Sequence, residues 1–196
     1  MAKVKICGLS RIEDIVALNA ALPDYAGFVF VPSKRQISFK QAKILRELLD
    51  ASILAVGVFI NSAIEDIAKL FNDGVIQIAQ LHGNEDASYI GRLKTLCPKM
   101  PIIKAYRQVT GASYLLLDNL KPGSGKPLSM TSAELAKTIA LSQLPVFVAG
   151  GINLNTVQDV LLAKPYAIDV SSGVEVDGKK DAQKILELVT TVRRFS

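Results

Sequence analysis

With one histidine and two cysteines in 196 residues, the groups able to carry acid–base chemistry are few. Cys7 ends the stretch Lys3-Val4-Lys5-Ile6-Cys7 and is followed by Gly8. Alternation along a strand puts Lys3, Lys5 and Cys7 on one face, Val4 and Ile6 on the other. A thiol works as a base only when ionised. A reference pKa of ~8.5 leaves a few per cent thiolate at neutrality, so nearby positive charge helps, and Lys5 lies ~7 Å away along the same face by strand rise. Taken alone, Cys7 reads as a small buried hydrophobe, a common use of free cysteine.

Asp118 ends Tyr114-Leu115-Leu116-Leu117 in the same manner and shares a face with Leu116 and Tyr114. Apolar neighbours disfavour a bare carboxylate, which suits a general acid; the plainer reading is a turn or helix-capping aspartate. Two later stretches, Gly150-Gly151-Ile152-Asn153 and Ser171-Ser172-Gly173, combine glycine with hydroxyl and amide donors. Glycine lets backbone N–H groups approach an anion, and a helix starting just after the first stretch favours negative charge. Each is an ordinary turn by itself; together they point to a phosphorylated ligand.

These residues need a frame that gathers them. Short apolar runs at Val4–Cys7, Gly27–Val31, Leu54–Phe59, Ile78–Leu81, Ile102–Tyr106, Tyr114–Leu117, Val146–Ala149 and Ala167–Val170 read as strands buried on both faces. Amphipathic stretches lie between them: Ile12–Leu22, Phe39–Leu49, Ala63–Phe71, Asp86–Leu96, Ser132–Leu141, Thr156–Leu162 and, last, Ala182–Val192. Ser10, Ser38, Asn61 with Glu65, and Thr131 or Ser132 before Glu134 read as helix caps. The alternation runs without a linker, so residues 1–196 form one domain, a small (β/α)8 TIM barrel. The rival open sheet lacks its G-x-G-x-x-G after the first strand, where Gly8-Leu9-Ser10-Arg11 stands.

In a barrel the chemistry sits where strands end. Those positions hold Cys7, Arg35, Asn61, His82, Arg107, Asp118, Gly150-Gly151 and Ser171-Ser172-Gly173, so thiol, carboxylate, cations and anion-binding loops converge on one rim. Barrel closure also sets the last strand beside the first. Asp169, on a face with Ala167 and Ser171, then pairs with Lys5, touches the ligand, or both.

Composition narrows the partners. Twenty-three basic against 18 acidic residues give a net charge of +5, but the cations are scattered and tryptophan is absent, which suits a small anion better than nucleic acid. The longest apolar run, Ile53 to Ile60, is too short for a membrane span, and a strand at the N-terminus leaves no room for a signal peptide. Cys7 and Cys97 alone imply no disulfide framework, and the expected compartment is the cytoplasm. Gly123-Ser124-Gly125-Lys126-Pro127 is similar to the end of a P-loop. Leu120 replaces the required glycine, however, and Pro127 the magnesium-binding hydroxyl, so nucleotide hydrolysis is rejected.

Seven motifs run through the chain in order: Lys5-Ile6-Cys7-Gly8, Gly27-Phe28-Val29-Phe30 with Ser33-x-Arg35, Gln80-Leu81-His82-Gly83, Leu115-Leu116-Leu117-Asp118, Gly123-Ser124-Gly125-Lys126, Ala149-Gly150-Gly151 and Asp169-Val170-Ser171-Ser172-Gly173-Val174-Glu175. In that combination the chain resembles the phosphoribosylanthranilate isomerases. The resemblance implies an Amadori rearrangement in tryptophan biosynthesis, with no cofactor and no metal. N-(5-phosphoribosyl)anthranilate would become 1-(2-carboxyphenylamino)-1-deoxyribulose 5-phosphate. It implies that Asp118 protonates the ribose ring oxygen and that Cys7 removes the C2 proton. Arg35 would hold the anthranilate carboxylate, and Gly150, Gly151, Ser172 and Gly173 the phosphate; His82 and Asp169 are further candidate substrate-binding residues. After Gly-Ser-Gly-Lys the chain departs from the family's usual Phe-Asp-Trp with Leu128-Ser129-Met130.

Two rivals remain in view. A histidine-pathway sugar isomerase has the same rearrangement and similar phosphate loops but an aspartate where Cys7 stands. A phosphosugar-binding barrel without catalysis would need neither Cys7 nor Asp118. One oddity is architectural. Between Tyr106 and Ser113 the chain is too short for a regular crossover helix, so the helix between strands 5 and 6 is expected to be missing. Uncovered apolar residues there, including some of Ile102, Ile103, Leu115 and Leu117, are expected to pack on a second copy of the chain or under rearranged neighbouring helices.

Overall fold

The computed structural model describes residues 1–119 and 130–195. Eight parallel strands pair in chain order and close: β1 (Lys3–Cys7), β2 (Tyr25–Val29), β3 (Leu54–Phe59), β4 (Ile78–Leu81), β5 (Ile102–Ala105), β6 (Tyr114–Leu117), β7 (Val146–Val148) and β8 (Ala167–Val170), with β8 back against β1. The outer helices are α1 (Ile12–Ala21), α2 (Phe39–Leu48), α3 (Ile64–Asn72), α4 (Ala87–Leu96), α5 (Ser132–Leu141), α6 (Val157–Leu162) and α7 (Ala182–Phe195). A two-stranded ribbon, β9 (Glu175–Val176) with β10 (Lys179–Lys180), lies between β8 and α7.

Alternation divides the core in two. Val4, Ile6, Ala26 and Phe28 point outward into the layer beneath the helices. Tyr25, Val56, Ile78, Ile103, Leu116 and Phe147 fill the barrel interior. The lower interior is aromatic: the Tyr25 ring lies 5.4 Å from that of Phe147, and its hydroxyl is 3.0 Å from that of Tyr166. Apolar stacking closes that end and leaves polar groups to the other.

The capping residues are partly as expected. Ser38 accepts from the amide of Gln41, and Thr131 forms a reciprocal box with Glu134. Ser10 does not cap α1; Arg11 occupies that place, and the Asp14 carboxylate accepts from the amides of both Ser10 and Arg11. Nor does Asn61 cap α3, where Ala63 stands instead; Asn61 accepts from the Asn84 amide and braces the next loop.

Between β5 and β6, described residues 106–113 form bends and a turn and no helix. β5 stops at Ala105 because Tyr106 has φ +70°, a left-handed conformation in which a strand cannot continue. Of the two kinds of cover expected for this side, neighbouring elements of the same chain supply it. Ile102 and Leu115 are buried, with Val109 and Ala112 of the short connection and Ile90 and Leu93 of α4 packed in the same layer. Ile103 faces the barrel interior rather than outward.

Candidate functional site

At the C-terminal ends of the strands, a cleft of about 290 Å³ opens between the loops. It is lined by Cys7, Arg35, His82, Asp118, Gly150, Gly151, Asp169 and Ser172 together. Gln80 and Ser171 also line it. Two rim residues turn elsewhere: Arg107 donates to the Asn84 carbonyl, and Asn61 braces its neighbour loop. The loop with Gly123-Ser124-Gly125-Lys126, and Leu128 and Ser129 after it, lie outside the described residues.

Strand register explains the thiol's surroundings. Cys7 pairs across the ladder with Gly27, and a Cβ on Gly27 would stand 2.7 Å from the Cys7 Sγ. Only a glycine there leaves the thiol its place. On the other side Lys5 pairs with Asp169, and Lys5 Nζ donates to Asp169 Oδ2 at 2.6 Å. Burial opposes the charge on Lys5, yet Asp169 and Cys7 together hold its pKa above the ordinary value. The Lys5 side chain is fully buried inside the barrel. Of the roles the sequence left open for Asp169, the pairing with Lys5 is present through Oδ2; the buried Oδ1 has no partner among the described residues and belongs to a side chain lining the cleft.

Lys5 favours the thiolate as expected, but burial outweighs it. Burial pushes the Cys7 thiol up, Lys5 and Lys180 pull it down, Asp169 pushes it up again, and the net direction is upward.

Asp118 sits in polar company rather than beside the expected apolar surface. Its Oδ1 accepts from the Asn119 amide at 2.7 Å, and its Oδ2 is 3.5 Å from His82 Nε2. The histidine is held from both sides, with Gln80 Nε2 3.1 Å from Nδ1 and the Tyr106 hydroxyl 2.8 Å from Nε2. Gln80 thus belongs to the site although its residue type gave no sign of it; it lies two residues before His82 on the same strand face. Tyr106 was hidden by its backbone turn, which no residue pattern announces.

The two glycine-containing loops expected to hold phosphate adjoin. Gly150 and Gly151 have φ of +92° and +62°, values that open backbone amides toward the cleft at no steric cost to glycine. The helix expected over Thr156–Leu162 follows at Val157–Leu162. Asn153 and Thr156 side chains take the amides of Asn155 and Asn153, so α6 starts only at Val157. Gly173 does not line the cleft. A Cβ there would collide with the Ile152 carbonyl, so this glycine lets the two loops touch.

Arg35 is not a free fork. Its Nε and Nη2 each donate at 2.8 Å to the two carboxylate oxygens of Glu175. That partner is 140 residues away, a separation that sequence spacing does not reveal.

The chain matches the family model described as N-(5'phosphoribosyl)anthranilate (PRA) isomerase over residues 4–191. It is 44% identical over 205 residues to an N-(5'-phosphoribosyl)anthranilate isomerase of Endomicrobium trichonymphae, covering 98% of this chain and 99% of that one. The fold is similar to the crystal structure of phosphoribosyl anthranilate isomerase from Thermus thermophilus, with a TM-score of 0.86, 33% identity, and 99% and 100% of the two chains covered. It is also similar, at a TM-score of 0.79, 29% identity and coverage of 99% and 100%, to a phosphoribosyl anthranilate isomerase in complex with reduced 1-(o-carboxyphenylamino)-1-deoxyribulose 5-phosphate.

Proposed function

The chain belongs to the N-(5'-phosphoribosyl)anthranilate isomerase family, enzymes of tryptophan biosynthesis, and from that premise we propose how its own residues carry the rearrangement. The single observation that supports the assignment is that Cys7 and Asp118, from opposite sides of the barrel, line one cleft with the Gly150-Gly151 loop. Phosphate rests against Gly150, Gly151 and Ser172, with Gly173 holding the loops together. Arg35 takes the anthranilate carboxylate.

Asp118 gives its proton to the ribose ring oxygen as the C1–O bond breaks, and the nitrogen lone pair forms a C1=N Schiff base. The Cys7 thiolate then removes the C2 proton, and those electrons become the C1=C2 bond of an enolamine. Proton return to C1 and loss of the enol proton give the amino-ketone. His82, anchored by Gln80 and Tyr106, keeps Asp118 in place. Asp169 offers its unpartnered oxygen to a sugar hydroxyl.

We place the reaction in the cytoplasm, where the free thiol of Cys7 stays reduced. Among the described residues no helix is long and apolar enough to cross a membrane. Every group invoked comes from one chain, so the monomer is the proposed catalytic unit, and pairing of two copies at the β5–β6 side is not required by it.

Loss of anthranilate-substrate fluorescence on adding the protein tests the reading directly. Turnover of the histidine-pathway substrate alone would favour that isomerase instead. Phosphosugar binding without turnover of either would leave a non-catalytic barrel.

A further inference from the structure

At the edge of the cleft, three charged side chains form a network whose members take no proton in the proposed reaction. Arg35 binds Glu175 through Nε and Nη2. Lys180 Nζ donates to Glu175 Oε1 at 2.7 Å and to the Ser171 carbonyl at 2.9 Å. The Lys180 and Glu175 side chains are 1% and 9% exposed. The β9–β10 register sets Lys180 opposite Glu175, so this ribbon, otherwise an excursion between β8 and α7, exists where the two charges meet. Partial burial works against the Glu175 carboxylate, but hydrogen bonds from Arg35 and Lys180 prevail and hold its pKa down to about 2.

Side-on contact through Nε and Nη2 has a geometric consequence. A guanidinium is a rigid planar fork. With that side occupied, the second N–H of Nη2 and one N–H of Nη1 remain side by side as the end of the fork. The end and the side can each take a carboxylate in the same plane. Charge works in the same direction: Arg35 and Glu175 alone would cancel, and Lys180 restores a net positive charge to the group.

We propose that Glu175 is a positioning residue for carboxylate recognition, holding Arg35 by its side so that the end of its fork takes the substrate carboxylate, with Lys180 keeping the group cationic. This rests on the reading of Arg35 given under the proposed function. A pure charge role is the alternative, and the two differ in sign. Removing an anion beside Arg35 strengthens attraction for a carboxylate, whereas releasing the fork weakens directed binding.

The test uses the whole chain with two ligands: the reduced carboxyphenylamino-deoxyribulose phosphate and the same molecule without its carboxyl group. Turnover and a clear preference for the carboxylated ligand in the unaltered protein establish the underlying reading; without that preference the role of Arg35 fails, and the proposal falls with it. In Glu175→Gln the carboxylated ligand is expected to bind roughly tenfold more weakly. The carboxyl-free ligand and inorganic phosphate bind as before, and KM rises while kcat stays within about twofold. Tighter carboxylate binding, or equal weakening of both ligands, overturns the proposal. Arg35→Lys, which keeps the charge at a side chain 27% exposed, supplies a second arm. An ammonium cannot serve two carboxylates as a fixed fork, so the preference is expected to vanish, and its persistence overturns the proposal equally.

Discussion

The proposed acid and base, Asp118 and Cys7, are single side chains, and each can be replaced by a near-isosteric one. Cys7→Ser is expected to keep ligand binding and lose about 10²–10⁴-fold in turnover, because a hydroxyl is a far poorer base. Steady-state kinetics within about threefold of the unaltered protein would falsify that role. Asp118→Asn is expected to lower kcat and kcat/KM together; a rise in KM at constant kcat would make it a binding group instead. The Cys7 thiol also carries a pH signature. Burial disfavours its charged form and shifts it upward, so thiolate appears at higher pH than in free cysteine. Alkylation of Cys7 by iodoacetamide, followed by mass spectrometry against pH, is expected to rise with a midpoint above that of cysteine itself. A midpoint at or below it would show that Lys5 and Lys180 outweigh burial.

Elements, and the loops between them, set where those side chains stand. Loops after β7 and β8 meet at Gly173, where a side chain would strike the Ile152 backbone. Gly173→Ala is therefore expected to part them and weaken phosphate binding in a calorimetric titration while leaving Cys7 reactive. Behind β5, on its outward face, Lys104 and Glu85 form a buried ion pair at 3.3 Å. Lys104 also donates to the carbonyls of Leu81 and Gly83, and Glu85 accepts from the amides of Asn61 and Gly83. Lys104→Met strands the Glu85 charge and is expected to cost about 3–5 kcal/mol, read from the urea midpoint. A shift within experimental error would mean the loop backbone suffices. The strands are legible in the sequence because alternation is a local property: Val4 and Ile6 against Lys5 and Cys7 place the thiol inward from residue order alone. Strand-end counting likewise finds His82 and Asp118. What stays hidden depends on closure between distant segments, as in Arg35 with Glu175 and Lys104 with Glu85, or on a backbone excursion, as at Tyr106. The left-handed turn there carries the phenol onto His82, and no alternation rule describes it.

For the molecule as a whole, charge pairing predicts how it meets acid. Glu175 has a folded pKa of about 2 against a usual 4.5, so its contribution to stability is present above about pH 4.5 and is lost as pH falls through the folded value. Urea midpoints of the unaltered protein are expected to decline across that window, and Glu175→Gln to decline less. An identical slope would mean other carboxylates dominate. Because α4 and the short connection already cover β5 and β6, sedimentation is expected to show a species that remains active when dilution has dissociated any dimer; activity lost on dilution would instead show dependence on a partner copy. The seam between β1 and β8 has a further implication. Lys5 and Asp169 are 164 positions apart, and a nascent chain folds from its N-terminal end. Until the last strand arrives, the first one holds an ammonium group that has no counter-ion and resists burial. A barrel lacking its last strand is therefore expected to leave Lys5 and Cys7 at an open edge, and iodoacetamide is expected to alkylate Cys7 faster in a chain ending before Ala167 than in the whole one. Seating of the last strand supplies the lysine's counter-ion and the Asp169 wall of the cleft in the same event.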